Sequence, residues 1–328
     1  MSDHTNLSNF SGDKKAWPVY ITIGNLPSAR RNSPGSMAVL LVALLPVLPK
    51  LSKSSKADRH QRKINPDTLQ DVFELIFAPL QDVAHVGIPI DCADGKVQLC
   101  FAILSTWIAA HMENVALHWL KTKASPKCEV PTNELETNAR SYRARDYARY
   151  QSYKPQSQTT GSETDDDHVM NLGIGQNIFY GLYRVSPSHL YKPDILHTIY
   201  LALFKHMMDW IEAFLKKHGR LQAFHEVWKA LPSYRGFLVH KKAYREVTQW
   251  QGKAMRNLGH CILGVLAVAL RQPGGAQAIP VKRALRCVRA LVDFNMVGEY
   301  RSHTPDTIAY MEEYLEQFHR MKYIFLEF

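Results

Sequence analysis

A chain of 328 residues with 46% apolar and 21% charged residues can bury one large core or two modest ones, which excludes wholesale disorder and a small disulfide-stapled scaffold. Forty Lys and Arg against thirty Asp and Glu leave a formal charge of +10, which suits an anionic partner such as nucleic acid or an acidic membrane face, and equally a solvated basic surface. The five cysteines are odd in number and widely spaced, with no secretory leader read ahead of them, so a reducing compartment is expected.

After a polar start, the apolar runs 18–26 and 37–48 are rich in Val, Ile, Leu and Tyr and bounded by Asn, Pro and Gly. They are predicted to be strands, joined as an antiparallel pair through the link PSARRNSPGS. The second run is shorter than the roughly 18 to 20 residues a spanning helix needs, and Pro46 interrupts it, so no membrane segment is expected. Residues 50–63 form a basic connector. Asn65 as N-cap before Pro66 then opens an amphipathic helix, with Leu69, Val72, Phe73, Ile76, Phe77 and Leu80 at helical spacing. The continuous apolar run 97–107 favours a strand, and 109–119 a helix. Residues 126–167 turn polar and are expected to form an exposed insertion. Beyond Pro193, helices are predicted over 195–217, 221–231, 244–270, 280–300 and 305–328. The fold class is therefore mixed α/β (α+β), with antiparallel strands on the N-terminal side and a mainly helical half after them.

Several chemistries are excluded by motif. Gly173 and Gly175 lack the third glycine and the strand-to-helix setting of a dinucleotide cradle, and there is no GxSxG, HExxH or repeated CxxC pattern. Asp94 before Gly95 is a typical turn residue. Asp194 precedes a long apolar helix as an N-cap would; it also stands three residues before His197, a spacing that lets a carboxylate and an imidazole share a metal or a hydrogen-bond partner. His111 and His118 share a helix face among Trp, Leu and Met, where packing outweighs ligation. Residues 140–149 (RSYRARDYAR) interleave Arg140, Arg143, Arg145 and Arg149 with tyrosines, a pattern that suits phosphate contact and base stacking or else a solvated amphipathic helix.

Segments along most of the chain resemble the Plavaka-type transposases of basidiomycete DNA transposons, which group with the Kyakuja, Dileera and Zisupton elements and more distantly with CACTA transposases. The likeness is carried by residues 2–26 (SDHTNLSNFSGDKKAWPVYITIGNL), 42–50 (VALLPVLPK), 89–118 (PIDCADGKVQLCFAILSTWIAAHMENVALH), 125–131 (SPKCEVP), 191–218 (YKPDILHTIYLALFKHMMDWIEAFLKKH) and 250–253 (WQGK).

The resemblance implies an incomplete ribonuclease-H-like core over 1–125, a polar insertion over 126–190, and a helical region over 191–328 that completes the core. In such a core three acids hold two Mg2+ or Mn2+ ions that activate water and then a DNA 3′ hydroxyl. Carried over by position, Asp3 takes the first acid's place as the catalytic residue. Ala110 stands where a W-I-A-D-H string has its acid, and Ala254 where a Q-G-K-E-M string has its Glu. A paired-cysteine C-P-K-C motif is reduced to Ser125 and Cys128; where that pair and the Asp194 and His197 element cooperate, in binding Zn2+ or in bracing the insertion, the site is one thiolate short. The expectation is a transposase fragment that no longer cuts, acting in the nucleus on transposon-end DNA and self-associating or meeting other transposase copies. The alternative is a non-catalytic DNA-binding or protein-interaction module derived from one.

Overall fold

The two leading apolar runs do pair: β2 (Lys15–Thr22) lies antiparallel to β3 (Val39–Leu45), with Trp17 opposite Leu45 and Thr22 opposite Val39. Alternation along β2 turns Trp17 and Val19 to the core, as a half-buried strand requires. The register slips between Val19 and Tyr20, a bulge that re-aims the outer part of the hairpin. On the other side of β2 lie β1 (Thr5–Asn6) and the bridge from Ser2 to Val19, giving the sheet order β1-β2-β3. The computed structural model describes residues 1–2, 5–6, 15–47, 56–118, 120, 124–136, 142–145, 177–192, 194–233, 235–237, 242–247, 250–271 and 279–325. The described chain organises into two compact units, Met1–Lys192 and Pro193–Phe328. The described parts of the polar stretch 126–190 belong with the first.

In the first unit, the link between β2 and β3 is more than a hairpin turn, since it holds a short helix α1 (Ser28–Arg31) and a 3-10 turn (Pro34–Ser36). The amphipathic helix α2 spans Lys56–Val86, so it starts well before Asn65 and runs through both Pro66 and Pro79. Asn65 is therefore no N-cap. Each proline removes one N–H from a ladder long enough to continue on either side. The helix stops at Gly87, whose φ of +79° admits glycine and whose missing Cβ leaves room for the Leu99 side chain. Behind it come the hairpin strands β4 (Ile88–Asp91) and β5 (Val97–Cys100), an antiparallel two-stranded sheet. The predicted strand over 97–107 is cut short because Cys100 already pairs with Ile88 and the next partner position is Gly87. Asp94 does hold the hairpin turn, accepting from Lys96 N at 3.1 Å. Helix α3 (His111–Leu117) is likewise shorter than 109–119. The short helices α4 (Ile178–Gly181) and α5 (Pro187–Leu190) follow.

The core of this unit gathers Trp17, Val19 and Leu45 from the sheet, Leu69, Phe73 and Phe77 from α2, Trp107, and Phe179 from α4. Its centre is aromatic: Phe73 meets Trp107 edge-on at 5.5 Å and Phe179 at 5.2 Å. Every residue of the predicted α2 face is in this cluster or packed against it, because a 3.6-residue repeat points them all to one side.

The second unit opens with a π-helix (Ile195–Leu203) that passes into α6 (Phe204–Lys217). Then come α7 (Leu221–Ala230), α8 (Gly252–Ala269), α9 (Ile279–Gly298), α10 (Pro305–Met321) and a 3-10 turn (Lys322–Phe325). The expected helix over 244–270 is broken: Tyr244–Glu246 is a 3-10 turn, and Trp250 folds back to stack on Tyr244 with its Nε1 donating to the Tyr244 carbonyl at 3.3 Å. Met207, Met208, Ile211, Leu215, Met255, Ile262, Cys287 and Leu291 form its buried centre. Among the described residues no helix is long and apolar enough to cross a membrane.

Candidate functional site

Around Ala110 the first unit builds a buried polar contact in an otherwise apolar wall. Ser2 is fixed by its N–H to the Ile108 carbonyl at 3.0 Å, which brings the residue before Asp3 in sequence against the W-I-A-A-H string. Trp107 Nε1 donates to Ser2 Oγ at 2.9 Å, and Ser2 Oγ donates in turn to Glu113 Oε1. Trp17 Nε1 donates to the same Glu113 oxygen at 2.7 Å. Ala110 is the N-cap of α3 and Glu113 lies in its first turn, where a carboxylate meets the positive end of the helix. Glu113 is thus a buried acid that accepts from both Ser2 and Trp17, and position 110 offers a methyl group. The sequence reading missed Glu113; its signal was a lone acid inside the apolar stretch 107–120. Of the two neighbouring histidines, His118 is packed, its Nδ1 2.7 Å from the Asn114 carbonyl, while His111 is more open and burial still lowers its pKa.

The Ser125 to Cys128 turn is organised around the Ser125 hydroxyl. Ser125 Oγ accepts from Lys127 N at 3.2 Å and Cys128 N at 3.3 Å, and lies 3.6 Å from Cys128 Sγ. The turn is tied down on two sides. Lys127 Nζ donates to the Ser188 carbonyl at 2.7 Å; burial first, then the nearby Lys192, lower the pKa of that ammonium. Arg145 Nε donates to the Ser125 carbonyl at 2.6 Å, and the residues around it pair with the turn through the Cys128 to Ala144 bridge. Cys128, Arg143 and Arg145 are therefore brought together, with Arg143 exposed and the Arg145 side chain buried as a strut. Arg140, Arg149 and Asp3 lie outside the described residues.

In the second unit Asp194 does what an N-cap does, its Oδ1 accepting from His197 N at 2.8 Å, while Oδ2 holds His197 Nδ1 at 3.0 Å. The pair is partly exposed and spends its polar contacts on itself. The helix it caps is π-wound, a geometry that concentrates at functional sites. The W-Q-G-K segment packs beside it: a Cβ at Gly252 would collide with Leu196 Cδ1, so glycine permits the approach of α8. Ala254 is buried at the start of α8.

A second carboxylate cluster, also unread in the sequence, closes this unit. Glu299 accepts from Tyr200 Oη at 2.6 Å and from Arg256 Nε at 2.8 Å, with His260 Nε2 at 3.6 Å. Burial raises the Glu299 pKa, but the bonds from Arg256 and Tyr200 and the charges of Arg256 and His260 together bring it below the ordinary carboxylate value of 4.5. A depressed folded-state pKa contributes stability that is present above 4.5 and lost as the pH falls through the folded value. Thermal melts of Glu299→Gln against the parent chain should therefore differ at neutral pH, and the gap should shrink as the pH falls below 4.5 and through the lowered folded-state value. A gap of constant size across that range would show that the charge contributes nothing.

Among the described residues the donor set does not fit a two-metal centre. Two of the three positions expected to carry acids hold methyl side chains, Glu113 is engaged by Trp17 and Ser2, and among the described residues no group of three or more His, Cys, Asp or Glu is placed to hold a metal ion. Cys128 belongs to the first unit and Asp194 and His197 to the second.

A family model described as Plavaka transposase matches residues 1–211. No curated protein and no solved structure matches the chain.

Proposed function

The chain belongs to the Plavaka transposase family, and on that premise we propose that it is a member that binds DNA without cutting it. The observation that carries the reading is the methyl group of Ala110 at the N-terminus of α3, beside a Glu113 already engaged by Trp17 and Ser2. A methyl group cannot ligate Mg2+ or Mn2+, and in the ancestral reaction those ions activate the attacking oxygen and steady the leaving one. On this reading β1, β2, β3 and α2 belong to a ribonuclease-H-like core. Zinc at the Ser125 to Cys128 turn would have one thiolate where the paired motif supplies two, too few for a closed structural site from that motif alone. The chain's excess of Lys and Arg supports DNA as the partner and the nucleus as its place of action.

A second reading, an interaction module that joins another transposase copy, is favoured by one feature. β3 is an outer strand of its sheet, and its Leu40, Leu41, Val42 and Leu44 are exposed.

Binding of a labelled duplex carrying the transposon's terminal repeats, titrated at several KCl concentrations, tests the DNA reading. Affinity is expected to fall linearly on a log-log plot with rising salt, by about 0.9 in slope per phosphate neutralised. Absence of binding at low salt sinks it.

A further inference from the structure

The second unit carries a basic cleft that lies outside the family match, which ends at residue 211. α9 and α10 pack side by side along their length, and between them opens a cleft of about 620 Å³ lined by Arg286, Arg289 and Asp293 from α9 and Tyr314, Gln317 and Arg320 from α10. We propose that this cleft is a contact site for the phosphodiester backbone of duplex DNA, an inference that rests on the DNA-binding reading above and gives it a location.

The placement follows from helix geometry. Positions 286, 289 and 293 repeat at one-turn intervals and so share one face of α9, while Ala284, Cys287, Val288 and Leu291 turn the other way into the core and hold the helix rigidly. Three guanidinium groups face one carboxylate. That carboxylate, Asp293, accepts from the Nε of Arg289 at 3.1 Å, and the Arg289 side chain is largely exposed. Among the described residues Arg286 and Arg320 meet no carboxylate at ion-pair distance, and both are exposed. The unpaired Arg286 and Arg320 add little to stability, since even exposed ion pairs contribute little.

The chemistry selects a phosphodiester chain. Guanidinium forks match phosphate oxygens two at a time. Arg286 and Arg289 are about 4.5 Å apart in rise along α9, close to the roughly 3.4 Å axial spacing of charges on one strand of duplex DNA. Tyr314 and Gln317 also line the cleft, residue types whose side chains can donate to phosphate oxygens. Base readout is not part of the proposal; backbone contacts position a duplex without reading its sequence.

The test uses the full chain and a labelled duplex of unrelated sequence, with binding followed by anisotropy over a KCl series. Arg286→Ala/Arg289→Ala/Arg320→Ala should lower the slope of log affinity against log salt by about 2 to 3 and weaken binding at least about tenfold at low salt. Arg286→Lys/Arg289→Lys/Arg320→Lys keeps the charge and should retain most of the slope. Thermal melts matching the parent are expected for both, since all three side chains are exposed; if the alanine variant melts early, the single change Arg286→Glu provides the comparison and should lower the slope by itself. Parent-like binding by the alanine variant overturns the cleft and leaves DNA binding standing elsewhere on the chain. Absence of binding by the parent overturns both.

Discussion

Phe73→Ala is expected to cost the first unit about 3–5 kcal/mol, the loss typical of deleting a buried aromatic ring. Phe73 is fully buried and stands at the centre of the aromatic cluster, touching Phe77, Trp107 and Phe179. Its removal forfeits the transfer energy of the ring and the edge-to-face contacts with Trp107, and leaves a cavity whose walls come from α2, α4 and the segment before α3. Those walls cannot all collapse inward, because Trp107 is also held by its N–H to the Leu190 carbonyl at 2.9 Å. The unfolding transition of the first unit, followed by tryptophan fluorescence, should shift down by about 10 °C or more. A shift under about 3 °C would mean that the cluster is not packed as described.

Glu113→Ala should destabilise the same unit by about 2–4 kcal/mol, although Glu113 touches no expected ligand. Its oxygen is the common acceptor for Trp17 and Ser2, and both donors lose it in an environment closed to water. Glu113→Gln keeps an oxygen of the same shape and should recover more than half of the loss. If the glutamine variant fell as far as the alanine variant, the carboxylate charge itself would be the important element, and Glu113 would become a candidate remnant of the acid cluster. Guanidine denaturation of the three proteins, read at the tryptophans, separates these outcomes.

The comparison of sequence with structure has a physical pattern. The face of α2 was legible because one side of a helix must recur every 3.6 residues, and Leu69, Phe73 and Phe77 do so without interruption. The β2–β3 pair and the Asp94 turn were legible for similar local reasons, alternation in one case and an Asp-Gly turn in the other. The start of α2 was not, since a proline reads as a first-turn residue wherever it stands and nothing local tells a tolerated interior proline from an initial one. The π-winding of residues 195–203 leaves the apolar pattern almost unchanged, so Asp194 could be read as a cap and its helix only as a helix. The two carboxylate contacts were least legible. Glu113 is 96 residues from Trp17 and 111 from Ser2, and Glu299 is 99 from Tyr200, separations at which periodicity carries no information.

On the proposed reading, position 110 links the fold to the function. On that reading the surroundings of the position are well held: Trp107 is buried, Ser2 is bonded to Ile108, and α3 begins at His111. The side chain at that position is a methyl group. A fold can keep its packing after losing a catalytic carboxylate, because the packing rests on Phe73, Trp107 and Phe179 and owes nothing to that acid.

The most direct measurement is incubation of the purified chain with an end-labelled duplex carrying the transposon's terminal repeats in Mn2+ or Mg2+, with strands resolved on a denaturing gel and Asp3→Ala run alongside. The account predicts intact strands at every metal concentration, together with salt-sensitive binding of the same duplex. Metal-dependent strand cleavage that disappears in Asp3→Ala would contradict it, and would mean that other acids complete the site despite Ala110 and Ala254.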